Sequence, residues 1–382
     1  MDISVVIVNY NVQYFLEQCI LSVKEAATNL NVEIIVVDNN SEDNSCSVIK
    51  EKYPEVKLVE NKENIGFSKA NNQGVKIAKG AYILVLNPDT IIAEDTLDKI
   101  IFFARAKQNL GVLGVKLIDG SGKFAPESKR GIPTPSTSFN KLFGISSKRT
   151  GKYYATHLDE NESGIIDIAS GAFMFMKRIV FEEVGGFSEA YFMYGEDIDL
   201  SMKLLHKGYQ NYYFASTQII HFKGESTDKN SKYLKYFHDA MKIFYKKHFK
   251  LNLIYDFIMR IGIEFWYLLK YFKFNNVKKT RKPIFNLLYL GDDELIVEYL
   301  DKKYLVIKES ILDDFSEIKK IIKNNKIDAI VFDNSRISNK KIIEHFQELK
   351  NEKVVFKIHP KTTNFLIGST CPNVRGQIEI IE

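Results

Sequence analysis

Strands and helices alternate through the first 118 residues of this chain. Ile3–Asn9 and residues 33–38 are continuous apolar runs, while residues 14–27 between them carry apolar side chains at helical spacing. Continuous apolar runs are typical of parallel strands buried on both faces. The alternation therefore predicts an α/β fold, with a mostly parallel sheet covered by helices. The further predicted elements are strands 56–60, 81–86 and 112–118 and helices 68–79 and 94–107.

Polar side chains follow these strands at their carboxyl ends, the edge where parallel sheets bind ligands. Asn9 ends the first strand and Asp38 ends the second. A carboxylate at position 38 can accept hydrogen bonds from a nucleobase or a sugar hydroxyl. The alternative is a polar loop in which Ser41 caps the following helix.

Two further residues suggest a metal site. Asp89, in Asn87-Pro88-Asp89, follows a strand and can ligate a divalent cation that neutralises a diphosphate. His221 ends a later apolar strand and can complete such a site or contact phosphate. An Asx turn at Asp89 and a polar strand end at His221 are the structural alternatives.

The chain also carries an acidic motif, in which Glu196, Asp197 and Asp199 follow Gly195 at the start of a predicted helix. A helix dipole stabilises one acid there, but mutual repulsion opposes three. We therefore expect a cation or a transferable proton beside them. Apolar residues 198, 202 and 205 would direct Asp197 toward the loop side, where it could act as a general base for a sugar hydroxyl.

The alternation of strands and helices stops after residue 118. Residues 119–164 are irregular, which indicates a loop over a site or a poorly ordered segment. Order returns with predicted strands 165–169, 172–177, 212–214 and 218–221, a helix over 178–184, and a helix from the acidic motif through residue 207.

Three parts are predicted: a catalytic domain over residues 1–228, an aromatic and basic helical segment over 229–282, and a small α/β domain over 283–382.

Residues 233–274 contain fourteen aromatic residues, and eight basic side chains stand there against three acidic ones. Charges interrupt the apolar stretch 253–269, so a transmembrane helix is disfavoured. An amphipathic helix at a membrane surface is the leading interpretation. A helical hairpin packed on the catalytic domain is the alternative.

The small domain shows predicted strands 284–290, 304–307, 327–332 and 354–358 and helices 316–325 and 338–351. Its first strand–helix turn, Gly291-Asp292-Asp293-Glu294, lacks the spaced glycines of a dinucleotide site, so we expect a binding or docking role.

Positive charge is concentrated in one segment of the chain, residues 233–274, which argues against nucleic-acid binding. Three dispersed cysteines and an amino terminus without signal-peptide features favour the cytoplasm.

The polar strand ends and the acidic motif belong to a series of seven motifs: residues 6–11, 36–41, 64–74, 86–89, 170–172, 185–187 and 195–199. In this order they resemble the motifs of the inverting glycosyltransferases of family 2, which have the Rossmann-like GT-A fold. The resemblance runs from residue 3 to about residue 226 and is closest to the bacterial rhamnosyltransferase-like branch acting on cell-surface polysaccharides. The family's usual Asp-x-Asp is Asn87-x-Asp89 here, which removes one negative charge near the metal.

The resemblance implies an enzyme that moves a sugar from a nucleotide-sugar donor to a glycan or polyprenyl-linked acceptor at the inner face of the cell membrane. Asp197 would be the catalytic base with Glu196 beside it, and Gly171 would lie near the acceptor. Asp89 would bind divalent Mg²⁺ or Mn²⁺ with support from His221. The implied donor-binding residues are Asn9, Tyr10, Asp38, Asn64, Gly66, Lys69 and Asn87.

Two other functions compete with this one. A sugar nucleotidyltransferase would need a basic, Gly-rich loop after the first strand, whereas residues 9–13 contain neither Gly nor charge. A non-catalytic assembly protein at the membrane surface would leave the acidic motif without a purpose.

Overall fold

The computed structural model describes residues 1–134, 154–225, 231–249, 261–264, 267, 283–310, 314–369 and 376–381. The predicted loop over 119–164 thus lies partly outside the described residues, as does most of the predicted segment 229–282.

Nine strands of the described residues form the first sheet. They are β1 (Ile3–Asn9), β2 (Val32–Asp38), β3 (Lys57–Glu60), β4 (Tyr82–Leu86), β5 (Thr90–Ile91), β6 (Leu110–Ile118), β7 (Gly164–Ile166), β8 (Phe173–Lys177) and β9 (Gln210–His221). Their order is β3-β2-β1-β4-β8-β6-β9-β5, and β7 pairs with β9. Pairing among β1 to β4 is parallel, whereas β8 is antiparallel to β4 and β6. The predicted mostly parallel sheet is confirmed.

Helices cover both faces of this sheet, because β1 and β2 are buried almost throughout and need apolar cover on each side. Each fully buried aliphatic side chain contributes about 1.5–3 kcal/mol to this packing. The helices are α1 (Gln13–Ala26), α2 (Ser45–Lys52), α3 (Phe67–Lys76), α4 (Thr96–Arg105), α5 (Arg178–Glu183) and α6 (Glu196–His206).

Two local expectations were wrong. Residues 212–214 and 218–221 belong to the single strand β9, whose pairing with β6 shifts register opposite Val115 and Lys116. The polar residues between the two predicted strands therefore form an irregularity within one strand. Ser41 does not cap α2, which begins at Ser45; its hydroxyl donates to Asp38 instead.

The C-terminal module (residues 283–381) contains a second sheet. Its elements are β10 (Asn286–Leu290), α8 (Glu294–Asp301), β11 (Leu305–Glu309), α9 (Phe315–Asn324), β12 (Ala329–Asp333), α10 (Asn339–Glu348), β13 (Val355–His359), β14 (Phe365–Gly368) and β15 (Gln377–Ile380). The strand order is β11-β10-β12-β13-β14-β15. The first four strands in this order are parallel, whereas β14 is antiparallel to both of its neighbours.

Helix α7 (Ser231–His248) packs on α6 of the first domain. Its residues Ala240, Phe244 and Tyr245 are buried in one cluster with Met202 of α6. The described part of the aromatic segment thus lies against the first domain, which is the packing that the alternative interpretation expected. The amphipathic helix at a membrane surface stays a prediction. Among the described residues, no helix is both long enough and apolar enough to cross a membrane.

Candidate active site

The site begins at the carboxyl ends of β1 and β2, where Asn9 and Asp38 are register partners. Asn9 Nδ2 donates to Asp38 Oδ2 at 2.8 Å, and the Ser41 hydroxyl donates to the same oxygen at 2.6 Å. The Ser41 amide donates to the other oxygen at 2.8 Å. Asp38 is thus buried and organises the loop that follows β2. Tyr10, next along the chain, is half-buried at this edge.

The predicted donor loop lies beside this edge. The Asn64 side-chain oxygen accepts from the Gly66 amide at 3.0 Å, and Lys69 is exposed on α3. Gly66 has φ +87°, and a Cβ there would lie 2.6 Å from the carbonyl oxygen of Phe192. Glycine is therefore required at position 66, both for its backbone angle and for this close approach. Phe192 belongs to the loop that leads into the acidic motif.

Asn87, Asp89 and His221 converge at the next position along the sheet. His221 Nε2 lies 3.3 Å from Asp89 Oδ1 and 3.2 Å from Asn87 Nδ2. The short strand β5 sets this geometry, because Thr90 pairs with His221 across an antiparallel ladder. Phe222 strengthens it by donating its amide to the Asp89 carbonyl at 3.0 Å.

The chemistry of this trio fits a divalent cation. A carboxylate oxygen and an imidazole nitrogen face each other, and His221 Nδ1 is buried with no hydrogen-bond partner in the described structure. Mg²⁺ commonly takes only one or two protein ligands and fills its remaining positions with phosphate oxygens and water. No group of three or more His, Cys, Asp or Glu suited to a metal occurs in the described ranges, so phosphate would have to supply the rest.

Asp197 stands on the first turn of α6 and is held from two sides. Arg130 Nη2 lies 2.5 Å from Asp197 Oδ2, and the Gly171 amide donates to the same oxygen at 3.1 Å. The other oxygen accepts from the Ile198 amide at 2.8 Å. Its side chain retains 14% exposure, so an acceptor can reach it.

The two other acids have different environments. Burial and the neighbouring Asp197 raise the pKa of Glu196 to about 8, so this side chain is mainly protonated at neutral pH. Burial would also raise the pKa of Asp199, but hydrogen bonds from His248 and Lys247 outweigh it and lower that pKa. Lys247 Nζ lies 2.9 Å and His248 Nε2 2.6 Å from Asp199.

The expected cations and proton are therefore present beside the acidic motif. Asp199 anchors α6 to α7 and leaves Asp197 as the acid facing the site. The predicted apolar face of this helix was incomplete: Leu200 and Leu204 are its fully buried apolar residues, whereas Ile198 and Met202 face α7. Two sides of α6 are covered, whereas the prediction assumed a single apolar stripe along the helix.

A continuous set of contacts joins the two halves of the site. The Asn87 amide donates to the Ala172 carbonyl at 3.0 Å, and the adjacent Gly171 amide donates to Asp197. Asn87 also contacts His221. The predicted diphosphate-binding residues and the predicted base thus lie on one edge of one sheet.

Three charged residues of the site were missed from the sequence. Arg130 lies in the irregular segment, where its backbone bridges to Ile168. Lys223, two residues beyond His221, forms an ion pair with Glu127. Burial would raise the pKa of Glu127, but the Lys223 ammonium outweighs it and lowers that pKa. The acidic motif predicted a cation nearby, but nothing in the sequence indicated which residue would supply it.

Comparison with known proteins identifies the domain. Residues 4–185 match the family model described as Glycosyl transferase family 2. The chain carries a family 2 glycosyltransferase domain. The first sheet with its helices is accordingly a GT-A fold, and the predicted enzyme class is confirmed. Membership in this family argues against both competing functions.

Several curated relatives are rhamnosyltransferases. The chain is 28% identical over 257 residues to an N-acetylglucosaminyl-diphospho-decaprenol L-rhamnosyltransferase of Mycobacterium tuberculosis, covering 63% of this chain and 83% of that protein. It is 30% identical over 167 residues to Rhamnosyltransferase WbbL of Escherichia coli, covering 41% and 61%. A poly(ribitol-phosphate) beta-glucosyltransferase of Bacillus spizizenii is 28% identical over 269 residues, covering 66% and 41%. The predicted rhamnosyltransferase-like branch is confirmed.

Proposed function

We propose that this glycosyltransferase moves a sugar from a nucleoside-diphosphate donor, dTDP-rhamnose or a UDP-sugar, to a polyprenyl-linked glycan, with inversion, in the synthesis of a cell-surface polysaccharide. The observation that carries the proposal is the contact chain from Asp89 and His221 through Asn87 and Gly171 to Asp197. It brings groups suited to a leaving diphosphate next to a carboxylate suited to an attacking hydroxyl. The names of the curated relatives support the donor and acceptor classes.

Asp197 is the proposed base. A carboxylate has about four lone-pair positions. Arg130 and Gly171 occupy two on Oδ2, whereas Oδ1 accepts from Ile198 alone within the described structure. The acceptor hydroxyl therefore donates to Oδ1 and transfers its proton there. Its oxygen bonds to the anomeric carbon from the opposite side as the bond to the diphosphate breaks, which inverts the configuration.

Glu196 is protonated beside the base and adds no second negative charge to it. Asn9, Tyr10 and Asp38, with Asn64, Gly66 and Lys69, form the proposed nucleoside side of the donor site. Asp89 and His221 are the proposed ligands of Mg²⁺ or Mn²⁺, which would supply positive charge to the departing diphosphate.

Helix α7 supports the proposed location at the inner face of the membrane. Its apolar side packs on α6, but Lys235, Lys242 and Lys246 are exposed. Their spacing of seven and four residues puts them on one helical face. Each lysine near an anionic lipid surface contributes about 1 kcal/mol of attraction. The ion pair of Lys242 with Glu264 reduces its share, so Lys235 and Lys246 carry most of this attraction.

Product formation tests the function directly. Purified protein is incubated with a panel of dTDP-, UDP- and GDP-sugars, a polyprenyl diphosphate-linked acceptor and Mg²⁺ or Mn²⁺, and products are read by mass spectrometry. Transfer from one donor, lost in Asp197→Asn but retained in the exposed-acid control Glu51→Gln, is the expected result. Absence of transfer from every donor would overturn the proposal, as would a wild-type rate in Asp197→Asn.

A further inference from the structure

We propose that the C-terminal module is a positioning domain for the catalytic site. It holds β5 and the end of β9, which carry Asp89 and His221, and thereby sets the affinity for a nucleoside diphosphate. Part of this inference rests on the proposed function, because the role of the Asp89–His221 pair does. The structural part stands on the contacts between the module and the first domain.

The strand that positions Asp89 has little support of its own. β5 consists of two residues and lies at the end of the strand order, with β9 as its partner in the described sheet. A two-residue edge strand contributes few hydrogen bonds, so its placement depends on side-chain packing. Ile91 of β5 and Ile220 of β9 are register partners and both are fully buried.

Helix α1 and the module together cover these side chains. Ile91, Ile220 and Phe222 belong to one buried cluster with residues of β10, β12, β13 and β14. Phe15 of α1 joins it, with its ring 5.2 Å from that of Phe222. Without the module, the side of this cluster that α1 does not cover would face water.

A carboxylate of the first domain also accepts hydrogen bonds from a helix of the module. Glu94 accepts from the amides of Asn339 and Lys340 at 2.6 and 3.0 Å, at the first turn of α10. A negative charge there interacts favourably with the helix dipole. Gln18 of α1 donates to the side chains of Asn334 and Asn339 at 3.3 and 3.2 Å, and this polar contact is buried. Glu94 follows β5 by three residues, so it ties the strand to the module.

A tight turn completes the interface. Gly122, in the turn that follows β6, has φ +78°, and a Cβ there would lie 1.7 Å from the carbonyl oxygen of Phe346 in α10. A Cβ at Gly120 would lie 2.5 Å from the carbonyl oxygen of Ser369. The backbones of the two domains are thus in direct contact close to the strand that pairs with β9.

The test uses the full chain with two interface variants and two matched controls. Glu94→Gln weakens the contact with α10, and its control is Glu317→Gln, an exposed acid on the first turn of α9. Gly122→Ala introduces the clash, and its control is Gly208→Ala, which has φ +88° but open space around the added Cβ. Hydrogen–deuterium exchange is followed at residues 89–92 and 218–223, and binding of UDP and dTDP with Mn²⁺ is followed by calorimetry.

Both interface variants should exchange about tenfold faster at these two segments, because the Phe222 amide loses its fixed partner at Asp89. Nucleotide should bind about tenfold more weakly, with donor KM raised and kcat retained, since the interface changes donor placement and leaves the base intact. Unchanged exchange at both segments in Glu94→Gln overturns the inference, even if Gly122→Ala does not fold. If the wild-type protein binds neither nucleotide, the proposed function fails, and exchange alone still decides whether the module holds these strands.

Discussion

Replacing Glu196 by Gln should make the protein less sensitive to alkaline pH. The native side chain is buried, and burial together with the neighbouring Asp197 raises its pKa from the ordinary 4.5 to about 8. Between these values the folded protein keeps a proton that the unfolded chain releases, so raising the pH favours unfolding. Each pH unit in that window costs about 1.4 kcal/mol. The penalty is small at pH 5, about 3 kcal/mol at pH 7 and about 5 kcal/mol above pH 8.

Gln keeps the shape of the protonated acid without an ionisable group. Urea unfolding followed by far-UV circular dichroism, at pH 5, 7 and 9, gives the free energy of unfolding of both proteins. The advantage of Glu196→Gln should grow with pH along this curve, whereas Glu51→Gln, on the exposed side of α2, should track the wild type. Parallel curves for Glu196→Gln and the wild type would refute the reasoning.

Three other substitutions test the site. Arg130→Gln should lower kcat about 10–100-fold with donor Kd retained, because Arg130 holds Asp197, the proposed base; steady-state kinetics measures kcat and nucleotide calorimetry measures the Kd. His221→Ala should weaken Mn²⁺-dependent nucleotide binding at least about tenfold, and equal binding with and without Mn²⁺ in the wild type would contradict this. Asp199→Asn should lower the free energy of unfolding by about 2 kcal/mol, because the Lys247 ammonium loses its buried partner; urea unfolding measures it.

The elements that position the proposed donor side of the site could be predicted from local sequence. β1 was predicted residue for residue, because seven consecutive buried positions leave a clear apolar run. The polar residues that end β1, β2 and β4 were predicted to meet, and Asn9 and Asp38 do so, because parallel strands bring their carboxyl ends to one edge.

The other parts of the site and of the fold could not be predicted, because they depend on contacts between distant parts of the chain or on very short strands. Asp199 finds its partner Lys247 forty-eight residues away, and Arg130 reaches Asp197 over sixty-seven. Neither separation produces a periodic signal. β5 is too short to be recognised. β14 and β15 were missed because they are only four residues long and pair antiparallel at the end of a parallel sheet.

Position 66 links two loops that are far apart in sequence. The backbone there touches Phe192, whose carbonyl also accepts the Phe67 amide at 2.7 Å. Gly66 has no side chain that could move to absorb a change, so a displacement of one loop would displace the other. The second loop leads within five residues to Asp197, the proposed base. The proposed donor loop and the proposed base are therefore joined through direct main-chain contact.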